Sequence, residues 1–450
     1  MRLSQIANVL GGKLSGPNVE FIAVSTDSRG IVASDLFVAL CGEHFDGAEF
    51  VEGAVASGAA AAMVNKGRCW SSDLSIVEVE DTRLALGQLA AYWRKQFAIP
   101  VVGITGSNGK TSVKEMLASI LRVHTGDADR VLATLGNLNN DIGMPLTLLK
   151  LHAGQRYAVI EMGMNHTGEI DYLTRLACPD VALVNNATSA HLAGLGTMEA
   201  VARAKSEIFA GLGQQGVAVI NADDDFAALW REAAAAHQIV DFGLDASASV
   251  SASWREDGYG VHMDVTTPHD EFVVELQVPG VHNVRNALAA TAVAIALDVP
   301  VSTIAAGLKS FAGVQGRLQR KPALHGATLI DDSYNANPAS LSAAIKVLAH
   351  LQGKRILVLG DMGELGADAP HFHAEIGAEA RNLGIQKLLA IGELSAYAVD
   401  EFGVGATHFK RIADLLHCLE ENLDTQSTVL VKGSRFMKME RVVQYCTALQ

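Results

Sequence analysis

Aromatic residues, positive charge and long hydrophobic runs are all scarce in this sequence. Phe, Trp and Tyr make up 6% of its 450 residues, whereas alanine is abundant, and this composition favours helices packed on sheets over an all-β fold. The most apolar stretch, residues 287–297, is too short to span a bilayer and predicts a buried helix. The formal net charge of -14 argues against nucleic acid as a partner, because nucleic-acid-binding surfaces are usually basic. It does not exclude a small anionic substrate, since a local pocket can be positive on an acidic protein.

Cysteines are few and follow no recognisable pattern. Five occur, at positions 41, 69, 178, 418 and 446, and no two have C-x-x-C spacing. Reduced thiols in a reducing compartment are the simplest interpretation. The N-terminal segment MRLSQIANVL also lacks the features of a signal peptide. We therefore expect a cytoplasmic protein that is not inserted in a membrane. The sequence leaves the oligomeric state open, and a monomer is the default expectation.

The order of strand-like and helical segments predicts an α/β protein with three domains. Residues 1–98 contain short strand-like runs and helices, which indicates a small α/β N-terminal domain. In residues 99–313, strand-like runs alternate with helices, so we expect a mainly parallel sheet covered on both faces, with an antiparallel addition over residues 260–278. The alternation recurs in residues 314–450 and predicts a C-terminal Rossmann-like domain.

A glycine-containing loop follows the β-branched run at residues 101–105 and opens into a helix. In such loops, backbone N–H groups and the helix N-terminus bind phosphate, while a lysine adds positive charge and a threonine hydroxyl can ligate Mg²⁺. The strict G-x-x-x-x-G-K-[ST] pattern is not met, because Ile104 occupies the first glycine position. We interpret the segment as the ATP loop of a central P-loop ATPase domain; the alternative is a glycine turn with a surface lysine. The residues predicted to bind nucleotide here are Gly106, Ser107, Asn108, Gly109, Lys110, Thr111 and Ser112.

The short T-G-x-x-G-K-T loop resembles that of the Mur ligase family, which includes the folylpolyglutamate synthases, and further motifs agree over essentially the whole chain. Glu161 ends the run Y-A-V-I-E, and His191 follows the next predicted strand. Both should lie near the carboxyl ends of parallel strands, where ligands collect in open α/β sheets. The resemblance implies that Thr111, Glu161 and His191 hold Mg²⁺. Without it, His191 would be read as a loop histidine with a local hydrogen bond.

Lys205 lies in the amphipathic segment V-A-R-A-K-S-E-I-F. On the sequence alone it would be interpreted as a solvated or ion-paired lysine. The position resembles the family lysine that reacts with CO₂ and becomes a carbamate, a reaction that requires the neutral amine. The resemblance therefore implies a carbamate on Lys205 that orients a second Mg²⁺.

Three more motifs resemble nucleotide contacts of the family. The segment H-N-V-R-N contains Asn283 and Asn286, which the resemblance places near adenine; the alternative is a capped helix start. Arg317, in G-R-L, corresponds to the arginine expected at the γ-phosphate. Asp332 matches the aspartate that binds ribose. Together with Lys110, Glu161, His191 and Lys205, Arg317 completes the predicted catalytic set.

The N-terminal segment indicates which branch of the family the chain resembles. Residues 1–80 contain no G-x-G-x-x-G loop, which the first and second ligases of the bacterial wall pathway carry. The segments S-T-D-S-R and D-G instead resemble the third and fourth ligases, whose N-terminal domain holds the uridine diphosphate end of the substrate. The candidate residues are Ser28, Arg29, Asp46 and Gly47; the alternative is a surface turn.

Two asparagine-containing segments favour the fourth ligase. G-N-L-N-N-D resembles its substrate loop and contributes Asn137, Asn139 and Asn140, whose amides both donate and accept hydrogen bonds. D-D-S-Y-N-A-N-P contributes Asn335 and Asn337, and the D-N-P-R signature of the third ligase is absent because Ala339 follows Pro338.

The resemblance implies an ATP-dependent ligase that adds D-alanyl-D-alanine to UDP-N-acetylmuramoyl-tripeptide through an acyl phosphate, with the dipeptide bound between the central and C-terminal domains. The alternatives are another amide ligase of the superfamily, namely the third wall ligase or a folylpolyglutamate synthase, a nucleotide-driven switch, and a binding module without catalysis. The third residue of the tripeptide, lysine or diaminopimelate, stays open.

Overall fold

The computed structural model describes residues 1–42, 45–188, 195–257 and 259–448. These residues form four sheets, of five, six, three and six strands in chain order. Within the described ranges, no helix combines the length and the apolar character needed to cross a bilayer. The five cysteines all lie in these ranges and are free thiols, as the sequence predicts.

The first sheet has the strand order β1-β5-β4-β3-β2, in which β1 is antiparallel to β5 and the remaining pairs are parallel. Helix α3 packs its apolar face on this sheet and begins at an N-cap, where the Asp81 carboxylate accepts hydrogen bonds from the backbone. The elements are α1 (Leu3–Leu10), β1 (Lys13–Ser15), β2 (Ala23–Ser25), β3 (Asp35–Val38), α2 (Val51–Ala56), β4 (Ala61–Asn65), β5 (Ile76–Val79) and α3 (Thr82–Arg94).

The second sheet is parallel throughout, with the order β11-β10-β9-β6-β8-β7, and helices cover both faces. Its four central strands, β6, β8, β9 and β10, are short runs rich in Val, Ile, Leu and Ala that are buried on both sides, as expected for a parallel sheet. The strands are β6 (Val101–Thr105), β7 (Val131–Ala133), β8 (Tyr157–Glu161), β9 (Val181–Val184), β10 (Val217–Asn221) and β11 (Gln238–Phe242). The helices are α4 (Lys110–Thr125), α5 (Gly143–Leu148), α6 (Glu169–Ala177), α7 (Met198–Ser206) and α8 (Ala227–Ala233).

A small antiparallel sheet and two helices complete the central region. Strands β12 (Ser251–Asp257), β13 (Gly260–Thr266) and β14 (Glu271–Leu276) pair in sequence order, and helices α9 (Val281–Ala296) and α10 (Val301–Ser310) follow them. The predicted antiparallel addition and the predicted buried helix are both confirmed. Alanine-rich α9 can approach the sheet closely because its side chains are small, and nine of its residues from Ala287 onward belong to or pack against the central core.

The last sheet has the order β15-β16-β20-β17-β18-β19, and its edge strand β15 is antiparallel to β16. Apolar clusters fill both faces, so this region is a second α/β unit, as predicted. The strands are β15 (Gln319–Pro322), β16 (Thr328–Asp332), β17 (Lys354–Gly360), β18 (Lys387–Ile391), β19 (Ala406–Phe409) and β20 (Ser427–Lys432). The helices are α11 (Pro338–His350), α12 (Ala369–Asn382), α13 (Ser395–Phe402), α14 (Ile412–Glu420) and α15 (Glu440–Thr447).

A buried arginine joins the N-terminal helix α3 to the central region. Arg94 is 8% exposed. Its guanidinium donates to the carbonyl of Ala177 at 3.0 Å and to that of Phe97 at 2.7 Å, with longer bonds to Ile99 and Cys178 at 3.4 Å. Because these carbonyls belong to the link before β6 and to the end of α6, one side chain fixes how the chain enters the second sheet.

Replacing Arg94 by Met should lower the free energy of unfolding by about 2–4 kcal/mol, because the buried carbonyls lose their donor. Urea unfolding followed by far-UV circular dichroism measures the effect. Arg83→Met is the matched control: Arg83 lies on the same helix, is exposed and pairs with Asp141 at the surface, so its loss should cost less than about 1 kcal/mol. Equal losses in the two variants would contradict the proposed role of Arg94.

Candidate active site

The glycine-containing loop lies at the carboxyl end of β6, the strand between β9 and β8 in the second sheet. Gly109 has a φ of +79°, and a Cβ at this position would lie 2.3 Å from Asn286 Oδ1, so only glycine fits. The Asn108 N–H donates to Asn186 Oδ1 at 2.8 Å, which fixes the loop against the end of β9. Helix α4 starts at Lys110, and its N-terminus therefore faces the same space as the loop, a geometry suited to an anion.

Lys110 turns its ammonium group back over this loop. Its Nζ donates to the carbonyl oxygens of Gly106 at 2.6 Å and Ser107 at 3.3 Å. Burial lowers the pKa of the Lys110 ammonium, Glu161 nearby acts in the opposite direction, and Arg317 lowers the pKa further. A phosphate placed at this point would add negative charge and thus favour the charged form of the lysine.

The Glu161 carboxylate is a centre of hydrogen bonds at the end of β8. The side chain is 2% exposed, and its Oε2 accepts a hydrogen bond from Thr111 Oγ1 at 2.9 Å, while Oε1 accepts one from Asn139 Nδ2 at 2.8 Å. Its backbone N–H donates to Thr134 Oγ1 at 2.9 Å. The ATP loop, the sheet and the predicted substrate loop therefore meet at one carboxylate.

Lys205 lies on α7 and is 1% exposed, so it is not the solvated lysine that its sequence context favours. Burial lowers the pKa of its amine well below the ordinary value, and the charge of Lys110 lowers it further. Both effects favour the neutral amine, which is the form that reacts with CO₂. His191, the other predicted metal ligand on this side, lies outside the described residues.

Asparagine side chains surround the beginning of α9. Asn286 Oδ1 accepts a hydrogen bond from Asn185 Nδ2 at 3.1 Å, and Asn286 Nδ2 donates to Asn283 Oδ1 at 3.3 Å. Asn283 Nδ2 in turn donates to the carbonyl of Pro279 at 2.8 Å. Burial lowers the pKa of the neighbouring His282 to about 4, with Lys432 and Arg285 acting in the same direction, so this imidazole is neutral at pH 7.

Two side chains of the C-terminal region bind the ATP loop directly. Arg317 Nη2 donates to Thr111 Oγ1 at 3.0 Å, and the guanidinium carbon lies 4.6 Å from the centroid of the Tyr334 ring. Asn337, the N-cap of α11, donates through Nδ2 to Asn108 Oδ1 at 2.8 Å. The C-terminal region therefore contacts the central region at the ATP loop itself.

Asp332, the predicted ribose contact, ends β16 and forms a buried ion pair. Its Oδ2 accepts a hydrogen bond from Lys432 Nζ at 2.5 Å, and its Oδ1 accepts one from the Leu318 N–H at 3.2 Å. Burial raises the pKa of the Asp332 carboxyl, whereas Lys432 lowers it. Lys432 also donates to the carbonyl of Asn335 at 3.0 Å, so this pair fixes the segment that follows β16.

A cleft of about 950 Å³ between the second and last sheets is lined by most of the predicted site residues. Gly106 and Lys205 are not part of its wall. The predicted residues that line it are Ser107, Asn108, Gly109, Lys110, Thr111, Ser112, Asn137, Asn139, Asn140, Glu161, Asn283, Asn286, Arg317, Asp332, Asn335 and Asn337.

The four candidate residues of the N-terminal region do not line this cleft. Ser28, Arg29 and Gly47 lie on two short 3₁₀ turns, Ser28–Gly30 and Gly47–Phe50, that both pack against α2, and Asp46 is the N-cap of the second turn. The Arg29 guanidinium donates to Asp27 at 2.9 and 2.7 Å, and Asp46 Oδ2 accepts a hydrogen bond from Arg68 at 2.7 Å. A Cβ on Gly47 would lie 2.5 Å from the carbonyl oxygen of Leu40, so the close approach of the two segments requires glycine.

Several cleft residues were not assigned roles from the sequence. Asn185 and Asn186 follow β9 directly, and the rule that ligands collect at the carboxyl ends of parallel strands could have identified them. Tyr334, Lys432 and Arg435 are placed beside the ATP loop only by tertiary packing, since their segments end strands of a different sheet.

Comparison with known proteins identifies related chains over almost the whole length. Residues 104–294 match the profile of the Mur ligase middle domain. Residues 316–435 match that of the Mur ligase glutamate ligase domain, and residues 20–94 match that of the Mur ligase family catalytic domain.

Individual relatives agree with these profiles. The UDP-N-acetylmuramoyl-tripeptide–D-alanyl-D-alanine ligase of Escherichia coli (strain K12) is 43% identical over 98% of this chain and 97% of its own. The fold is similar to that of MurF from Acinetobacter baumannii, with a TM-score of 0.91 and 39% identity over 98% of this chain and 97% of the other. It is also similar to MurF from Thermotoga maritima in complex with ADP, with a TM-score of 0.81 and 26% identity over 94% of this chain and 96% of that one. The chain therefore belongs to the Mur ligase family.

Proposed function

We propose that this protein is an ATP-dependent ligase that joins D-alanyl-D-alanine to UDP-N-acetylmuramoyl-tripeptide in peptidoglycan synthesis. The observation that carries the proposal is the meeting of Thr111, Glu161 and Arg317 through hydrogen bonds of 2.9 and 3.0 Å beside Lys110. A phosphate loop, a buried carboxylate and a second-domain arginine are the parts that phosphoryl transfer needs. The name of the E. coli relative supports the choice of the two substrates.

ATP binding is supported by the loop and its surroundings. We place the phosphates against residues 106–112 with Lys110 beside them, adenine near Asn283 and Asn286, and ribose near Asp332. The γ-phosphoryl group passes to the carboxylate of the tripeptide, which forms an acyl phosphate and releases ADP. Arg317 and Lys110 offset the charge that spreads over the phosphoryl oxygens during this transfer.

The residues around Thr111 fit Mg²⁺. Its hydroxyl oxygen and the Glu161 carboxylate lie 2.9 Å apart, and hard oxygen donors are what this ion prefers. We propose Thr111, Glu161 and His191 as its ligands, with the carbamate of Lys205 orienting a second ion. When bound, Mg²⁺ neutralises phosphate charge.

The carbamate proposal depends on the buried Lys205 amine. The neutral nitrogen attacks CO₂, an N–C bond forms, and the nitrogen loses a proton, so a cation-forming group becomes an anion. Burial, together with the repulsion from Lys110, supports the neutral amine.

The positions of the two substrates are also proposals. We propose that Asn137, Asn139 and Asn140 contact the tripeptide end, because this loop reaches Glu161 through Asn139 at 2.8 Å. Ser28, Arg29, Asp46 and Gly47 would hold the uridine diphosphate, and Asn335 and Asn337 would face the dipeptide between the central and C-terminal domains. The dipeptide amine then attacks the acyl phosphate, a C–N bond forms and phosphate leaves.

We propose domain boundaries after residues 98 and 313, and a cytoplasmic monomer. The first boundary is supported by α3, which packs on the first sheet, and by β6, which begins at Val101. Phe311 belongs to the central core and Leu318 to the C-terminal core, which supports the second.

Phosphate release measured with ATP, UDP-muramoyl tripeptide and D-alanyl-D-alanine, each omitted in turn, tests the function. We expect release only when all three are present, with equimolar formation of the pentapeptide product. Release that is independent of D-alanyl-D-alanine would contradict the proposal and favour a nucleotide switch. Replacing the dipeptide by a diamino acid, or supplying folate and glutamate, separates the other ligases of the superfamily.

Replacing Lys205 by Ala should lower kcat by about 10³-fold, and formate or acetate should restore part of it by supplying the missing anion. Phosphate release at increasing carboxylate concentration measures the rescue. Arg203→Ala is the control, because Arg203 lies on the same helix but is exposed and paired with Glu199. Full activity of Lys205→Ala without any added carboxylate would rule out the carbamate.

Replacing Arg317 by Lys should lower kcat by about 10²- to 10³-fold, with little change in KM for ATP, because a lysine cannot reproduce the planar fork at the transferring group. Steady-state kinetics at varied ATP measures both parameters. Arg320→Lys is the matched control: Arg320 stacks over Tyr259 at 5.3 Å and does not line the cleft. A rise in KM alone would show that Arg317 contributes binding rather than catalysis.

A further inference from the structure

The cleft contains several positive charges on an acidic protein, and most of them already have partners. Among the described residues that line it, the lysines and arginines are Lys110, Arg285, Arg317, Lys432 and Arg435. Lys432 pairs with the buried Asp332 at 2.5 Å, and Arg285 pairs with Asp223 and Asp245. Lys110 and Arg317 belong to the phosphate site.

Arg435 differs from these four cations in its exposure and its pairing. Its side chain is 62% exposed, and its ion pair within the described ranges joins Nη1 to Glu440 Oε1 at 3.0 Å. Such a surface pair contributes little, and a guanidinium has five N–H donors, so a second carboxylate can bind at another edge of the fork. Arg435 is therefore the cleft cation most able to accept an anionic group from a ligand.

The backbone that carries Arg435 is held by polar contacts to two neighbouring segments. The Arg435 N–H donates to Asn335 Oδ1 at 3.3 Å. Ser434, which is 4% exposed, donates through Oγ to the carbonyl of Ala336 at 3.1 Å and accepts from the Gly363 N–H at 2.8 Å. An exposed side chain on a rigid base is the arrangement of a preorganised binding group.

Apolar surface lies beside the guanidinium. The guanidinium carbon of Arg435 is 5.8 Å from the centroid of the Tyr334 ring. Phe436 is 62% exposed and also lines the cleft, although large aromatic side chains are usually covered. A cation beside one aromatic ring, with a second exposed ring in the same cleft wall, suits a small ligand that carries a carboxylate and short apolar side chains.

The two arginines are close enough together for one dipeptide to reach both. Arg317 and Arg435 both stack on Tyr334, at 4.6 and 5.8 Å from its centroid, so their guanidinium carbons lie no further apart than the sum of these distances. An extended dipeptide spans roughly 7 Å. A dipeptide whose amine approaches the group activated near Arg317 can thus reach Arg435 with its own carboxylate.

We propose that Arg435 binds the free carboxylate of the incoming dipeptide and thereby makes the enzyme select an acceptor that ends in a carboxylate. The inference rests on the function proposed above and adds the group that recognises the second substrate. The methyl groups of the dipeptide would contact Tyr334 and Phe436.

The test compares two acceptors in each variant, D-alanyl-D-alanine and D-alanyl-D-alaninamide, in which the carboxylate is neutralised. The wild type should prefer the acid by about 10- to 100-fold in kcat/KM, the contribution of a charge-assisted pair. In Arg435→Gln, kcat/KM for the acid should fall to the value for the amide, mainly because KM for the acid rises. The kcat/KM for the amide and the KM for ATP should not change. Arg435→Lys should keep part of the preference.

Arg411→Gln is the matched control, because Arg411 is 75% exposed, pairs with Asp414 at 2.6 Å and does not line the cleft. It should keep the full preference for the acid. An active Arg435→Gln variant that still prefers the acid, or that loses both acceptors equally, would overturn the assignment of Arg435 alone. A wild type that releases no phosphate with D-alanyl-D-alanine would overturn the proposed function, and this inference with it.

Discussion

The hydrogen bond from Thr111 Oγ1 to the Glu161 carboxylate is the contact on which the site depends. Thr111 lies in the first turn of α4 and Glu161 at the end of β8, so this bond fixes the ATP loop relative to the neighbouring strand. Glu161 also binds the Asn139 amide, and Thr111 accepts the Arg317 guanidinium. Because these contacts all involve Thr111 or Glu161, a substitution that breaks one of them also shifts the others. The free-energy effects of such substitutions should therefore not be additive.

The concentration of cations explains how an acidic chain can bind anionic substrates. Lys110, Lys205 and Arg317 lie close enough to perturb one another, since the pKa of Lys110 is lowered by Arg317 and that of Lys205 by Lys110. Placing these basic groups together disfavours their charged forms, and a ligand of opposite sign would favour them again. Triphosphate and carbamate are both anions, and each would relieve this repulsion. The same basic side chains thus repel one another in the ligand-free site and attract the anionic ligands.

Much of the fold could be predicted from the sequence, because the residues of each long element determine its type locally. Runs such as those at 101–105 and 217–221 are β-branched, bounded by loops and buried on both faces, and the structure places strands over these same residues. Strands β1, β7, β15 and β19 were not predicted, because they are edge strands of three or four residues whose alternation is too short to stand out. The edge strands β11 and β12 were also missed, since polar residues interrupt their apolar runs. The helix α1 at the N-terminus was also missed, since it spans only eight residues.

The residues of the candidate site likewise fall into those that could be identified from the sequence and those that could not. The residues in the ATP loop and those at strand ends could be identified, because the element that positions each of them is visible in the sequence. The burial of Lys205 could not, since a lysine in an amphipathic segment normally faces solvent, and only the packing of α7 against the sheet excludes water from it. Tyr334 and Arg435 were missed as site residues for a related reason: their approach to the ATP loop depends on how the last sheet docks on the second.

That docking is controlled by contacts which a nucleotide would alter. Asn337 binds Asn108, and Arg317 binds Thr111, so two of the hydrogen bonds between the domains end on the loop expected to hold the phosphates. These are neutral or singly charged contacts on a partly open surface, and each contributes about 1 kcal/mol or somewhat more. A bound triphosphate can attract Arg317 more strongly than a hydroxyl does, because the pair is then between opposite charges. Closure around the acyl phosphate should therefore follow from the presence of nucleotide, and this would exclude water only while the reactive intermediate exists.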